Sequence, residues 1–361
     1  MPASRRRYTP EEIAYIQAMP KVELHVHLEG SMPPELLLTL SGKYAQTLPA
    51  RDVDGLREWF TFRDFPHFVE IYIAIANTLR TPDDLELLTR AFLKDRAAQN
   101  IVYSEVTYTA YTQTQRHGIP LDEQLDAINR ARAWGEAELG VSMQLIVDIA
   151  RDSSTPAEGL ILADWVTSQR NNGIAALGLG GYELPFPPAL FREAFALAHE
   201  RGFPCVLHAG ETAGPESIWG ALEHGRTVRI GHGVRCLEDG LLVAHLQQQQ
   251  IPLEVCPTSN VCLRIFPSIA AHPLARLIDA GLYVTLNSDD PPLFNATLTQ
   301  EYIVCGETFG FPLARLEQFS HDAARAALLP ADQRAALEKR LHDGCAALRQ
   351  QWGIPADPVQ V

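Results

Sequence analysis

Eight short apolar runs punctuate the chain, each rich in Val, Ile or Leu and most followed by a stretch of helical period. They are KVELHVHL (21–28), IVYSEVTY (101–108), VSMQLIVDI (141–149), IAALGLGG (174–181), FPCVLHAG (203–210), VRIGHGV (228–234), IPLEVCP (251–257) and LYVTLNSDD (282–290). Short runs of this kind between turn signals predict strands, and segments such as PALFREAFALAHERG and LEDGLLVAHLQQQQ between them predict helices. Strand and helix alternating eight times predict an α/β architecture of parallel strands closed into a TIM (β/α)8 barrel. No shift in composition and no fixed-period repeat marks a second domain, so residues 1–361 are expected to form one.

Two stretches depart from the simple alternation. The connection from about residue 31 to 100 is far longer than one barrel helix requires and predicts a helical insertion after the first strand. Within it, FRDFPHFVEIYIAIANTL sets Phe65, Phe68, Val69 and Tyr72 at helical spacing, with Asp64 and Pro66 at the helix start. That stripe is either ordinary core packing or the apolar wall of a cap over the C-terminal end of the first strand. Beyond residue 312, LARLEQFSHDAARAAL and DQRAALEKRLHDGCAALRQQW predict C-terminal helices that close the fold, with His321 and His342 at the surface.

Composition narrows the class of partner. The chain is 46% hydrophobic and 20% charged, ordinary for a folded protein, and its formal net charge of −14 argues against a nucleic-acid partner. The one basic run, SRRRY (4–8), is expected to be a solvated tail. No apolar stretch approaches the ~18 residues needed to span a bilayer, and the N-terminus lacks a signal peptide's apolar core, so no membrane association and a cytoplasmic location are expected. Six cysteines without a CxxC pair predict buried thiols, so a metal site would draw on other ligands.

Catalytic groups of barrels of this class sit at the C-terminal ends of the strands. Here the first run carries His25 and His27, the fifth ends in His208 followed by Glu211, the sixth contains His232, and the eighth ends in Asp289 and Asp290. Histidines two apart on a strand share a face. Taken singly, HAGE also reads as a helix start with Glu211 in the first turn, GHG as a tight turn, and SDD as an N-cap. Taken together at strand ends, neutral imidazoles and a carboxylate suit Zn²⁺ with an open position, held by His25, His27, His208 and Asp289.

PKVELHVHLEG, HAGET, RIGHGV, EVCPTSN and LNSDDPPLF, in this order and spacing, resemble the adenosine deaminase family of the metal-dependent amidohydrolase superfamily, from about Pro20 to Phe311. The resemblance implies one zinc ion per chain on His25, His27, His208 and Asp289, with water as the remaining ligand and His27 also beside the substrate. It implies Glu211 as proton donor to purine N1, His232 as the residue that orients the attacking water or takes its proton, and Asp290 as a partner of N7 or of the attacking oxygen. Gly181 would offer its backbone N–H to N3, and Glu29 would stand near the ribose 5′-hydroxyl.

Two departures bear on the sugar side. Glu29 stands where many family members carry aspartate, and Thr107 where many carry arginine. The implied activity is hydrolytic deamination of a 6-aminopurine nucleoside, adenosine by default, with aminodeoxyfutalosine of menaquinone synthesis or free adenine as alternatives. Two other classes remain: a metal-dependent ester or lactone hydrolase, whose second metal a strand-end lysine would bridge, and a non-catalytic nucleoside binder, which would need neither Glu211 nor His232.

Overall fold

A computed structural model describes residues 6–355. Eight strands form one sheet in sequential order, every neighbouring pair parallel. They are β1 (Lys21–His27), β2 (Ile101–Tyr108), β3 (Ser142–Ala150), β4 (Ile174–Gly180), β5 (Cys205–Ala209), β6 (Arg229–His232), β7 (Leu253–Val255) and β8 (Val284–Leu286). The sheet closes just past β8, where Val26 bridges Asp289, the His27 N–H donates to the Asp289 carbonyl at 2.9 Å and the Asp289 N–H to the His25 carbonyl at 3.1 Å. The result is the TIM (β/α)8 barrel expected from the alternation. Among the described residues, no helix is long and apolar enough to cross a membrane.

Strict alternation along β1 would set Glu23, His25 and His27 on one face. The register against β2 instead slips between Glu23 and Val26, with three steps on β1 opposite two on β2. Asn287 Oδ1 accepts from the N–H groups of both Leu24 and His25, at 2.9 and 3.1 Å. A bulge of this kind re-aims the side chains on either side of it. Glu23 meets Arg96 on the helix Pro82–Ala98, whereas His25 meets Glu254 on β7.

The long β1–β2 connection holds the helices Pro34–Lys43, Val53–Trp59, Phe65–Ala76 and Pro82–Ala98. Asp64 caps the third by accepting from the His67 N–H at 2.9 Å, with Pro66 in its first turn. The Phe65 side chain lies outside the described residues. Phe68 stacks on Phe294 at a ring separation of 5.7 Å and also lines a cavity with Val69 and Tyr72, so this stripe serves both as packing and as a cavity wall.

The C-terminal helices Leu313–Ala326 and Ala331–Trp352 cover the barrel end opposite the histidines. Leu328, between them, packs on Ile146, Ala176 and Val206, and its N–H donates to Glu105 Oε1 at 2.6 Å. Arg229 spans the interior there, bonding Glu105 at 2.6 Å, Glu254 at 2.5 Å and the Ala326 carbonyl at 2.9 Å. One guanidinium against two carboxylates leaves a negative charge over, which Glu254 turns toward His25, and removing any of these partners would strand the others.

Three expectations need correction or completion. Of the basic run 4–8, Ser4 and Arg5 lie outside the described residues and Arg7 is exposed, as expected; Arg6 and Tyr8 are docked, with the Arg6 N–H on the Glu307 carbonyl and Tyr8 buried, its hydroxyl on the Phe311 carbonyl at 2.6 Å. The aromatic ring outweighs the solvation of its basic neighbours. His342 is exposed, but His321 is only partly so, because the helix Leu313–Ala326 turns that face toward its neighbours. All six cysteines are free thiols, five buried and Cys262 half-buried.

Candidate active site

The C-terminal ends of β1, β5 and β6 and the segment after β8 bring His25, His27, His208, His232 and Asp289 into one cluster. His27 Nε2 lies 3.1 Å from His208 Nε2 and 3.3 Å from Asp289 Oδ1, and His25 Nε2 lies 3.5 Å from the same oxygen. Donors at the corners of a tetrahedron with ~2.05 Å arms stand about 3.3 Å apart, so these separations match a small divalent ion with nitrogen and oxygen ligands. Donor atoms of His25, His208, His232 and Asp289 also all fall within 4.8 Å of one another. Five groups thus surround one small space.

Hydrogen bonds behind the cluster decide which atoms face it. His25 Nδ1 is held by Glu254 at 2.8 Å and His208 Nδ1 by the Leu179 carbonyl at 3.1 Å, which turns both Nε2 atoms inward. Such outer partners are what orient metal-ligating imidazoles. His25 Nε2 is buried and has no hydrogen-bond partner, an orphan that a cation would satisfy. Asp289 Oδ2 accepts from Ser259 Oγ at 2.7 Å, leaving Oδ1 for the cluster. The donor set and the orphaned nitrogen both fit a zinc-type ion.

Burial and neighbouring charge set the protonation states. Burial lowers His27 to about 4 and His232 to about 4, and drives His208 well below the ordinary histidine value, so all three keep free lone pairs. Burial also opposes charge on His25, but the carboxylates of Asp289 and Glu254 outweigh it and raise His25 to about 10. The cluster therefore attracts positive charge at its centre. Burial, then the charges of Asp289 and Glu183, push Glu211 well above the usual carboxylate range, and burial with Asp289 does the same for Asp290.

Two of these residues carry backbone strain. His232 and Asp289 adopt φ of +62° and +64°, a left-handed conformation costing a non-glycine residue ~1–3 kcal/mol. Both sit where a strand end turns toward the cluster, and ladder bonds through Asp289 hold the second in place.

Glu211 is neither in a helix nor at its start, because the next helix begins at Pro215. Likewise Asp289 and Asp290 cap nothing: the following helix starts at Leu298 with Thr297 as its N-cap. The loop carrying Glu211 is clamped by Glu183, whose Oε1 accepts from the N–H groups of Glu211 at 2.9 Å, Thr212 at 2.7 Å and Ala213 at 3.3 Å. Its Oε2 accepts from the Gly210 N–H at 2.8 Å and from Ser217 Oγ. Glu211 Oε2 lies 3.6 Å from His232 Nε2, and Oε1 accepts from Asn260 Nδ2 at 3.0 Å.

Sequence reasoning missed Glu183, Ser259, Asn260 and Glu254 in these roles, although all four lie inside or beside the motifs LGLGGYE and EVCPTSN. His272, which reaches Asn260 from a loop, had no signal at all.

A cavity of about 340 Å³ opens from the cluster. Its lining includes His27, Glu29, Gly181, His208, Glu211, His232, Asp289 and Asp290, and, farther out, Phe68, Tyr72 and Arg116. Among the described lining residues there is no lysine. Gly181 contributes backbone at a φ of +91°. Asp290 Oδ1 is buried without a partner, and it packs so closely on Gly30 that a Cβ there would fall 1.5 Å from it. Glu29 is buried, accepting from the Thr109 N–H at 3.1 Å and the Tyr72 hydroxyl at 3.3 Å, and burial raises it to about 8. Thr107 lies within β2, paired with His27, while Thr109 faces the cavity.

Comparison with known proteins agrees with this geometry. Residues 20–344 match the family described as Adenosine deaminase. Aminodeoxyfutalosine deaminase of Streptomyces coelicolor is 37% identical over 335 residues, covering 92% of this chain and 86% of the relative. Adenine deaminase of Bordetella avium is 39% identical over 296 residues, covering 82% and 93%. A solved amidohydrolase from Burkholderia ambifaria with bound Zn superposes with a TM-score of 0.88 at 26% identity, covering 98% of each chain.

Proposed function

We propose, for a chain that belongs to the adenosine deaminase family, hydrolytic deamination of a 6-aminopurine carrying a substituent at N9, a nucleoside of the adenosine or aminodeoxyfutalosine type. The observation that carries this is the continuity of the cavity from the histidine–aspartate cluster, where the ring would react, to the walls formed by Phe68, Tyr72 and Arg116, which leave room beyond a purine. His25, His27, His208 and Asp289 would hold one divalent cation. When bound, that ion lowers the pKa of a water molecule toward neutrality and so supplies the nucleophile for C6.

The chain's own groups do the rest. Glu211, kept protonated by burial and by neighbouring carboxylates, donates its proton to N1, which lets C6 accept an oxygen without full negative charge on the ring. His232, 3.6 Å from Glu211 and 3.9 Å from Asp289, orients the attacking water. Asp290, with its unpartnered Oδ1, bonds N7, and the Gly181 N–H bonds N3. Of the two protons of the attacking water, one passes to the amino group, which leaves as ammonia when the C6–N bond breaks, and the other restores Glu211, while the proton on N1 stays with the 6-oxopurine.

Free adenine is the second reading. It is favoured by Asp148, a cavity-lining carboxylate whose buried Oδ1 has no partner and whose place beside Gly180 suits a ring N–H. Initial rates with adenosine, aminodeoxyfutalosine and adenine on one metal-loaded sample separate the two. The nucleoside reading expects the larger kcat/KM for one of the first two; adenine turned over far faster than both overturns it.

A further inference from the structure

Behind Glu211 and His232 runs a chain of buried hydrogen bonds that the reaction above does not use. The backbone N–H of Leu274 lies 3.1 Å from His272 Nδ1, and His272 Nε2 lies 3.1 Å from Asn260 Oδ1. Asn260 Nδ2 lies 3.0 Å from Glu211 Oε1 and 3.4 Å from His232 Nδ1. Asn260 and His272 are buried and lie outside the cavity lining, so a partner lost behind Glu211 and His232 is not readily replaced by water.

We propose that His272 and Asn260 are positioning residues that fix which carboxyl oxygen of Glu211 and which ring nitrogen of His232 carries a proton. This rests on the deaminase reading above. A backbone N–H can only donate, so His272 Nδ1 must accept, and a neutral His272 carries its proton on Nε2. Burial, the main influence on His272, lowers it to about 3 and keeps the ring neutral. An Nε2–H can only donate, so the Asn260 atom facing it is the oxygen and the amide nitrogen faces the site.

Both remaining orientations follow. Glu211 Oε1 accepts from Asn260, and because the C=O oxygen of a carboxyl group is the better acceptor, the acidic proton is favoured on Oε2, the oxygen nearer His232. His232 Nδ1 accepts as well, so the neutral ring bears its proton on Nε2, the atom 3.9 Å from Asp289 Oδ2. His232 therefore meets the attacking oxygen as a hydrogen-bond donor. A backbone amide outside the cavity thus sets the polarity of the acid and of its neighbour.

The test uses the metal-loaded enzyme and three variants. Asn260→Asp keeps the size but cannot donate; His272→Phe removes the link; His272→Gln restores a donor toward Asn260. We expect Asn260→Asp and His272→Phe to lower kcat about 10- to 100-fold, the usual effect of losing an outer-shell partner. KM and metal per chain should stay near wild type, and His272→Gln should recover much of the loss. Equal loss in His272→Gln and His272→Phe, or wild-type kcat in Asn260→Asp, overturns the proposal.

A readout independent of turnover is the histidine tautomer, seen in long-range ¹H–¹⁵N correlation spectra of ¹⁵N-histidine-labelled protein. His232 and His272 should both carry the proton on Nε2, and Nδ1 protonation of either overturns the relay. Should wild-type enzyme deaminate no 6-aminopurine while both tautomers are as stated, it is the proposed function that fails and not the relay.

Discussion

Replacing Glu183 by glutamine tests whether the clamp on the Glu211 loop matters for both stability and chemistry. The carboxylate accepts four backbone N–H groups and the Thr212 and Ser217 hydroxyls, with three of the amides and Thr212 on Oε1 and one amide and Ser217 on Oε2. Glutamine has a single acceptor oxygen. Kept at the Oε1 position, it serves Glu211, Thr212 and Ala213, the Ser217 hydroxyl rotates to accept, and the Gly210 N–H is left facing an NH₂ group. One buried orphan donor costs about 1–3 kcal/mol, and the surviving bonds weaken because their acceptor is no longer charged.

The catalytic consequence of Glu183→Gln is separable from the structural one. Displacement of Glu211 by about 1 Å lowers kcat by roughly 10²-fold. Glu183 is also one of the charges that raise Glu211, after burial and Asp289. Without it Glu211 loses its proton at lower pH, so the alkaline limb of kcat/KM moves to lower pH. Although burial opposes it, Arg151 and the hydrogen bonds hold Glu183 below the ordinary glutamate value. Its contribution is therefore present above the unfolded pKa of ~4.3 and is lost as pH falls through the lower folded value, so the stability gap between wild type and variant should shrink there. Unfolding curves and pH–rate profiles on matched samples suffice. A variant with unchanged stability and an unmoved alkaline limb would refute the reasoning.

Other perturbations probe the remaining parts. Glu211→Gln should retain wild-type metal content and lower kcat by at least ~10²–10⁴-fold, read from ammonia release and metal analysis; substantial turnover would show that the acid lies elsewhere. His208→Ala should lower metal per chain as well as turnover, and wild-type metal content would remove His208 from the ligand set. Exhaustive chelation of wild type should abolish turnover, with zinc restoring it. Gly30→Ala would push its Cβ into Asp290, displacing that carboxylate at a cost of about 1–3 kcal/mol and raising KM; unaltered KM and melting would mean the contact is slack.

The barrel and the gathering of its candidate residues were legible in the linear pattern for a local reason. Each strand of a parallel barrel is buried on both faces, so it appears as a compact apolar run, and its catalytic groups come at the run's end. His27, His208, Glu211, His232, Asp289 and Asp290 follow that rule and line one cavity, while His25, within β1, joins them through the donor cluster beneath it. The docking of Tyr8 was not legible, since nothing beside it in the chain announces the Phe311 carbonyl it meets. Glu183 and His272 were hidden likewise, their partners lying 27 to 34 residues and 12 residues away.

Order along the chain thus settled the number of strands, their parallel course and the kinds of side chain at their tips, because these depend on period and composition over a few residues. Which atoms face the cluster was decided only on closure. The slip in β1 that sends Glu23 to Arg96 and His25 to Glu254 arises from Asn287, more than 260 residues farther on, holding two successive N–H groups at once. Sheet register and buried hydrogen bonds are long-range commitments, and no periodicity within a strand encodes them.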